Sequence, residues 1–222
     1  MAEQAAQRTD DGARAPNRRR GRPPATDSAD TRRKIFDVAR CLFAERGYGA
    51  VTNKDVASAA GITPGALYHY VESKLDLYVQ VDVDMQRTIY FRFQDALASS
   101  GTFIGKFSAM LEAAYELAEE DPAVASFVGA VRTDMRRHPE VAERLARYAQ
   151  ERDQFFVDIV DIGVATGEIA PQDKPLAIAF VRTVLIGLTE TVSTTPGQHR
   201  DAIDAVIKLL RGTLLRAPSA VD

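Results

Sequence analysis

Residues 61–74 read GITPGALYHYVESK, with Tyr68, His69 and Tyr70 in a row and Lys74 close behind. Successive helix positions lie about 100° apart, so three rings in sequence cannot all enter one core. Their tips are two hydroxyls and an imidazole. Together with an ammonium, these groups are suited to hydrogen-bonding phosphate oxygens and base edges. Thr52, Asn53 and Lys54 form a second set of short polar groups upstream. A third is RRRGRPP, residues 18–24, which holds Arg18, Arg19, Arg20 and Arg22. No catalytic constellation stands out. His69, His138 and His199 lie in different segments without metal-ligand spacing, and no H-E-x-x-H, paired-cysteine, nucleophile-elbow or phosphate-loop motif occurs. Glu119, Glu120 and Asp121 read more simply as a solvated helix end. The expectation is a binding protein, not an enzyme, with no metal and no cofactor. A helical enzyme whose site assembles from distant segments is an alternative.

The elements that must hold these residues all read as helices. Apolar positions recur at helical spacing, and neither strand alternation nor an internal repeat is visible, so the fold class is all-α with about nine helices. The first is expected over 30–46, with Ile35, Val38, Ala39, Leu42 and Phe43 inward and Gly47 at its end. The second covers 53–60 behind a Thr52 or Asn53 cap, and Gly61 allows a left-handed turn. Thr63 caps the third, which has Pro64 at its first position and reaches to about 71. Ser73 caps the fourth, which runs to 97. Further helices are expected over 102–119, 122–137, 139–165, 174–192 and 198–216. Cys41, the single cysteine, falls within the first helix and is expected to be a small buried hydrophobe, which fits a reducing compartment.

Two short helices joined at Gly61 have the length and turn chemistry of a helix-turn-helix, whose second helix enters the major groove N-terminus first. Gly65 and Ala66 permit close approach there. Leu67 and Val71 are four apart and face inward, which leaves Tyr68 and His69 outward and Tyr70 at the edge. Taken singly, each of these residues has a plainer reading. Tyr70 can close a small core with its ring, and an isolated lysine or histidine is usually just solvated.

From Ile35 to Leu77 the chain carries T-x-K-x-V-A, then A-G-I-T-P-G-A-L-Y-H-Y-V, then S-K-x-x-L. This run resembles the DNA-binding domain of the TetR family of transcriptional regulators. The resemblance implies phosphate contacts at Thr52, Asn53, Tyr68, Tyr70 and Lys74, and base contacts at Lys54, Thr63, Gly65 and His69. It also implies a homodimer that binds a palindromic double-stranded operator, with repression as the default and a small-molecule inducer. Positions 63–66 offer no Arg, Asn or Gln, the side chains that make bidentate contacts to guanine or adenine. Lys54 and His69 are the best direct readers. Specificity is therefore expected to lean on DNA shape and on the arginine arm. The Gly-Arg-Pro core of residues 21–23 is similar to an AT-hook, which inserts arginine into a narrow minor groove.

Charge distribution agrees with one anionic partner at one end. Residues 1–76 hold 13 Lys+Arg against 10 Asp+Glu, while residues 77–222 hold 15 against 21. A basic solubilising tail would give the same count. The expected organisation is a disordered basic arm over 1–27, a DNA-binding head over 28–76 and an effector-binding and dimerisation body over 77–222.

In the body, the helix over 174–192 is apolar on more than one face and needs two burial partners. The resemblance implies that it and the following helix pair with their twins, through Phe180, Val184, Leu188, Ile203, Ile207 and Leu210. Plain core burial of both helices is the competing account. Tyr90, Phe91, Phe107, Met110, Phe127, Phe155 and Phe156 are candidates to line a cavity for a largely apolar effector, although the same residues can pack a solid core. A ligand-binding or adaptor protein without DNA binding is a further alternative. The apolar stretch 175–188 contains Arg182 and is shorter than the ~20 residues a bilayer requires. No apolar targeting segment opens the chain, and a soluble cytoplasmic protein is expected.

Overall fold

A computed structural model describes residues 25–98 and 100–215. Its described residues form ten α-helices and no strand. They are α1 (Ala25–Ala50), α2 (Asn53–Ala60), α3 (Pro64–Leu67), α4 (Lys74–Leu97), α5 (Phe103–Glu120), α6 (Pro122–Arg137), α7 (Pro139–Ala146), α8 (Ala149–Ala165), α9 (Lys174–Thr194) and α10 (His199–Leu210). Single 3-10 turns at Pro171–Asp173 and Pro196–Gln198 lead into α9 and α10.

Local chemistry sets most of the ends. Side-chain oxygens of Thr52, Thr63, Ser73, Thr102 and Asp121 each accept a first-turn N–H. Gly61 ends α2 at φ 74°, ψ 30°, a left-handed cap that glycine adopts without a Cβ clash.

Four boundaries differ clearly from expectation, one being the end of α10, which stops at Leu210 and not at 216. α1 begins at Ala25, earlier than residue 30, and is carried past Gly47, whose φ of 73° and ψ of 165° break the helical path inside it. α3 is only one turn long. Beyond it Tyr70 donates to Leu67 O at 2.9 Å, so the chain tightens before Val71. The single helix expected over 139–165 is two, broken at Arg147 and Tyr148, which makes ten helices where nine were expected. The break lets each half face a different core. Val141 and Leu145 of α7 are buried with the N-terminal helices, whereas Ile159 and Val160 of α8 are buried with α5, α9 and α10.

The first core joins Ile35, Phe36, Ala39 and Phe43 of α1 to Val56, Leu67 and Val71, and continues without interruption to Tyr78, Phe127 and Val131. Phe43, Tyr78 and Phe127 pack around one another at centroid distances of 4.8–6.4 Å, with Tyr78 edge-on to the other two rings. Cys41 is exposed, contrary to expectation. Ile35, Ala39 and Phe43 set the inward stripe of α1, and position 41 lies two residues, more than half a turn, away from it.

The segment Pro171–Val192, 22 residues long, is apolar and long enough to cross a membrane by length and composition. This corrects the length expected from 175–188. Within the fold, however, α9 packs against α6, α8 and α10, and Arg182 at its middle pairs with Asp153 of α8 at 2.7 Å.

Candidate nucleic-acid interface and effector cavity

The two short helices present one polar surface. Leu67 and Val71 are buried and hold α3 against α1 and α2. Tyr68 is 57% exposed, and Thr52, Lys54, Thr63, Gly65 and His69 are exposed around it. Tyr70 is half-buried with its ring against the core, at the edge position its spacing suggested. A Cβ added at Gly65 would meet nothing nearer than Thr63 Oγ1 at 4.0 Å, so the first turn of α3 is open to a close approach.

The half-buried Asn53 donates from Nδ2 to the Tyr68 hydroxyl at 3.2 Å. That bond joins the starts of the two helices and leaves the phenolic proton for an outside acceptor. Asp55 accepts from the Thr52 N–H at 2.9 Å and from its Oγ1 at 2.6 Å. These bonds hold the Asp55 carboxyl below its ordinary range and fix the residue that caps α2.

Lys74 is already engaged. Its Nζ donates to the Tyr48 carbonyl at 2.8 Å and lies 4.2 Å from the Tyr48 ring centroid. An ammonium has three protons, so this contact orients Lys74 and leaves two donors for a phosphate. The arginines at positions 18, 19, 20 and 22 lie outside the described residues.

A second site lies in the body, a cavity of about 330 Å3 between α4, α5, α6, α8, α9 and the start of α10. Of the expected lining residues, Tyr90, Phe155 and Phe156 are there. Tyr90 and Phe155 lie 4.9 Å apart, centroid to centroid. The other four do not line it. Phe91 is 65% exposed, because Asp82, Gln86, Ile89, Tyr90 and Phe93 set the cavity face of α4 and position 91 points away from them. Phe107 and Met110 are fully buried in the second core, and Phe127 in the first.

Sequence reading missed the polar part of the wall. Asp82, buried, lies one helical turn before Gln86, and Arg132 and His199 come from two other helices. The Arg132 guanidinium approaches Glu190 at 3.6 Å, and burial pulls its pKa down. Only Asp82 carried a signal in the sequence, as a charge in phase with the apolar stripe of its helix. Among the described residues no cluster of three or more His, Cys, Asp or Glu is placed to hold a metal ion.

Residues 35–81 match the model of the bacterial regulatory proteins of the tetR family. The chain is 28% identical to the HTH-type transcriptional repressor KstR2 of Rhodococcus jostii, over 72% of this chain and 80% of that one. It is 26% identical to the HTH-type transcriptional regulator UidR of Escherichia coli, over 74% and 80%. Salmonella enterica GusR superposes with a TM-score of 0.68 at 26% identity, covering 86% of this chain and 98% of the other. The chain carries the DNA-binding head of the TetR family of transcriptional regulators.

This TetR-type head and the body are tied together by α6. Asp134, buried near its end, accepts at one oxygen from the Tyr48 backbone N–H at 2.9 Å and the Tyr78 hydroxyl at 2.8 Å. Gly47 makes this possible, since even a Cβ there would sit 3.2 Å from Asp134 Oδ1 at a φ that side chains rarely adopt. A Cβ on Gly49 would likewise press on the His138 ring at 3.3 Å. At the other end of α6, its cap Asp121 receives Arg40 of α1 at 2.5 Å. Val131, Arg132 and Met135 of the same helix line the cavity, so three residues within one turn of Asp134 are cavity wall.

The expected dimer residues divide. Leu188, Ile203 and Ile207 are buried in the protomer's own second core, because α9 and α10 pack on α5 and α8 with that stripe. Val184 and Leu210 are half-buried against it. Phe180 is exposed at its margin, and with it lie Leu176, 71% exposed, and Ile186 and Leu209.

Because Lys54 is exposed and has no structural duty among the described contacts, Lys54→Ala is expected to leave melting unchanged. Its salt dependence of DNA binding, as d log K against d log[salt], should fall by about 1. An unchanged slope would remove Lys54 from the interface.

Proposed function

We propose that this regulator represses transcription as a homodimer in the cytoplasm, its two heads seated on the half-sites of a palindromic operator. A largely apolar small molecule in the α4–α6–α8–α9 cavity releases it, without catalysis. One observation carries the DNA-binding reading. Thr52, Lys54, Thr63, Tyr68 and His69 are exposed together on one face while Leu67 and Val71 anchor its back. The name of the relative KstR2 as a repressor supports the direction of control. Repression blocks access by occupancy, and release needs only a ligand that prefers the head arrangement poor in DNA contacts. A coupling of about 1–3 kcal/mol weakens binding roughly 5- to 150-fold.

Direct base readout rests on Lys54 at the start of α2 and His69 just past α3, so the arginine arm supplies a second, minor-groove contact. The test is a salt titration of binding to operator fragments selected from the genome and to random duplex. The full chain is expected to give a steep negative slope. Deleting residues 1–24 should lower the slope by about 0.9 for each phosphate that the arm neutralises and weaken the preference for A·T-rich flanks. A flat slope for the full chain would favour an adaptor without DNA binding. A slope and flank preference unchanged by the deletion would remove the arm from the interface.

A further inference from the structure

We propose that the cavity recognises its apolar ligand through a hydroxyl, or another neutral hydrogen-bond donor, seated on Nε2 of His199. The inference rests on the reading of this cavity as the effector site. His199 opens α10, is 5% exposed and forms part of the cavity wall. Its Nδ1 lies 2.7 Å from Thr191 Oγ1. The Thr191 hydroxyl directs its own proton to the Leu188 carbonyl at 2.8 Å. Oγ1 can therefore only accept from the ring, and Nδ1 must carry the hydrogen.

Burial pushes the His199 pKa down, against weaker opposition from Glu119 and the Leu188 carbonyl, so the ring is neutral. A neutral imidazole has one N–H, which leaves Nε2 as a bare lone pair. That atom is buried and has no hydrogen-bond partner. A buried acceptor left unpaired costs about 1–3 kcal/mol, and native interiors hold few of them.

The ring is also held in place. It stacks on Tyr115 at 5.7 Å, and Tyr115 lies under the Arg200 guanidinium at 5.2 Å. Arg200 is in turn fixed by Glu112 at 2.5 and 3.0 Å and by Asp204 at 2.8 Å. Leu188 and Ile203 of the cavity wall are apolar and buried. A neutral donor on an apolar body satisfies this wall, whereas a carboxylate would face a lone pair.

The probes are 1-decanol, its methyl ether and decanoate, each displacing the neutral fluorophore N-phenyl-1-naphthylamine from the full-length protein. Decanol is expected to bind about 5- to 10-fold more tightly than the ether, the yield of one neutral hydrogen bond. In His199→Leu that ratio should fall to near one while ether binding is retained. Thr191→Val keeps the shape but frees the ring to exchange tautomers, and should likewise lose the preference for the alcohol. Equal affinity of wild type for alcohol and ether, or a preference that survives both substitutions, would overturn the donor assignment and leave the cavity as an effector site. Tighter binding of decanoate than of decanol would overturn it in favour of an anionic group at Arg132. Failure of all three probes to displace the fluorophore would overturn the effector-site reading itself.

Discussion

Asp134→Ala is expected to lower the melting temperature by roughly 6–12 °C, equivalent to about 3 kcal/mol in a chain of this size. The carboxylate holds two buried donors, the Tyr48 N–H and the Tyr78 O–H, on a single oxygen. Removing it strands both, and each unpaired buried donor costs about 1–3 kcal/mol. The Tyr78 donor is present at every working pH, because burial and the neighbouring Asp134 push its pKa far above the ordinary phenol range. Tyr78→Phe removes one bond and leaves the other, so its loss should be smaller, about 1–2 kcal/mol. The double variant should lose less than the sum, because the two residues share one bond. Urea midpoints of the four proteins measure all of this. An Asp134→Ala protein that melts within about 2 °C of wild type would remove the latch from the stability of the fold. The consequence for DNA binding follows from position. Tyr48 lies past the Gly47 break at the end of α1, just before α2, and Lys74 is held to the same residue's carbonyl. Loosening this junction frees both helices of the head, so operator affinity should fall with stability.

How far this architecture could be read from the chain depends on the range of each interaction. Thr52, Gly61, Thr63, Pro64 and Ser73 act on residues within four positions of themselves. Their identity alone therefore places α2, α3 and the start of α4. Leu67 and Val71, four apart, could be assigned to the inner face by spacing, and Tyr68 and His69 to the outer. The pairing of Tyr48 with Asp134 spans 86 positions, and nothing near either residue signals it. The same holds for Lys74, whose carbonyl partner is 26 positions away, and for His199 and Thr191 on two different elements.

Phase errors account for most of the remainder. An aromatic-rich helix offers more rings than one cavity face can take, which is why Tyr90 lines the cavity and Phe91 does not. Amphipathic spacing marked Ile203 and Ile207 for burial correctly. It could not say whether the burying surface belonged to the same protomer or to a partner, and it belongs to the same one.

Leu176→Glu is expected to turn the proposed dimer into a monomer at micromolar concentration, as read by light scattering, and to weaken operator binding at least 100-fold. Leu176, Phe180, Thr183 and Gly187 are exposed on α9 at intervals of four, three and four, with Ile186 beside them. That is a helical stripe facing away from the protomer's own core, and Leu209 of α10 extends the exposed apolar surface. A contiguous exposed apolar patch of this kind marks an interaction surface. Across a two-fold axis each residue occurs twice, so one glutamate per protomer places two like charges in one interface. Each would have to lose its water, at several kcal/mol per ion. Two linked heads gain a factor of about 10²–10⁴ from effective concentration, and a monomer forfeits it. Phe180→Glu should act in the same direction, but Phe180 also contacts Phe107 at 6.2 Å and its loss will lower protomer stability too. Leu176, more exposed, separates the two effects: its variant should melt as a folded monomer. If both variants remain dimers with unchanged operator affinity, the stripe is not the dimer interface, and the second burial partner of α9 is some other molecule.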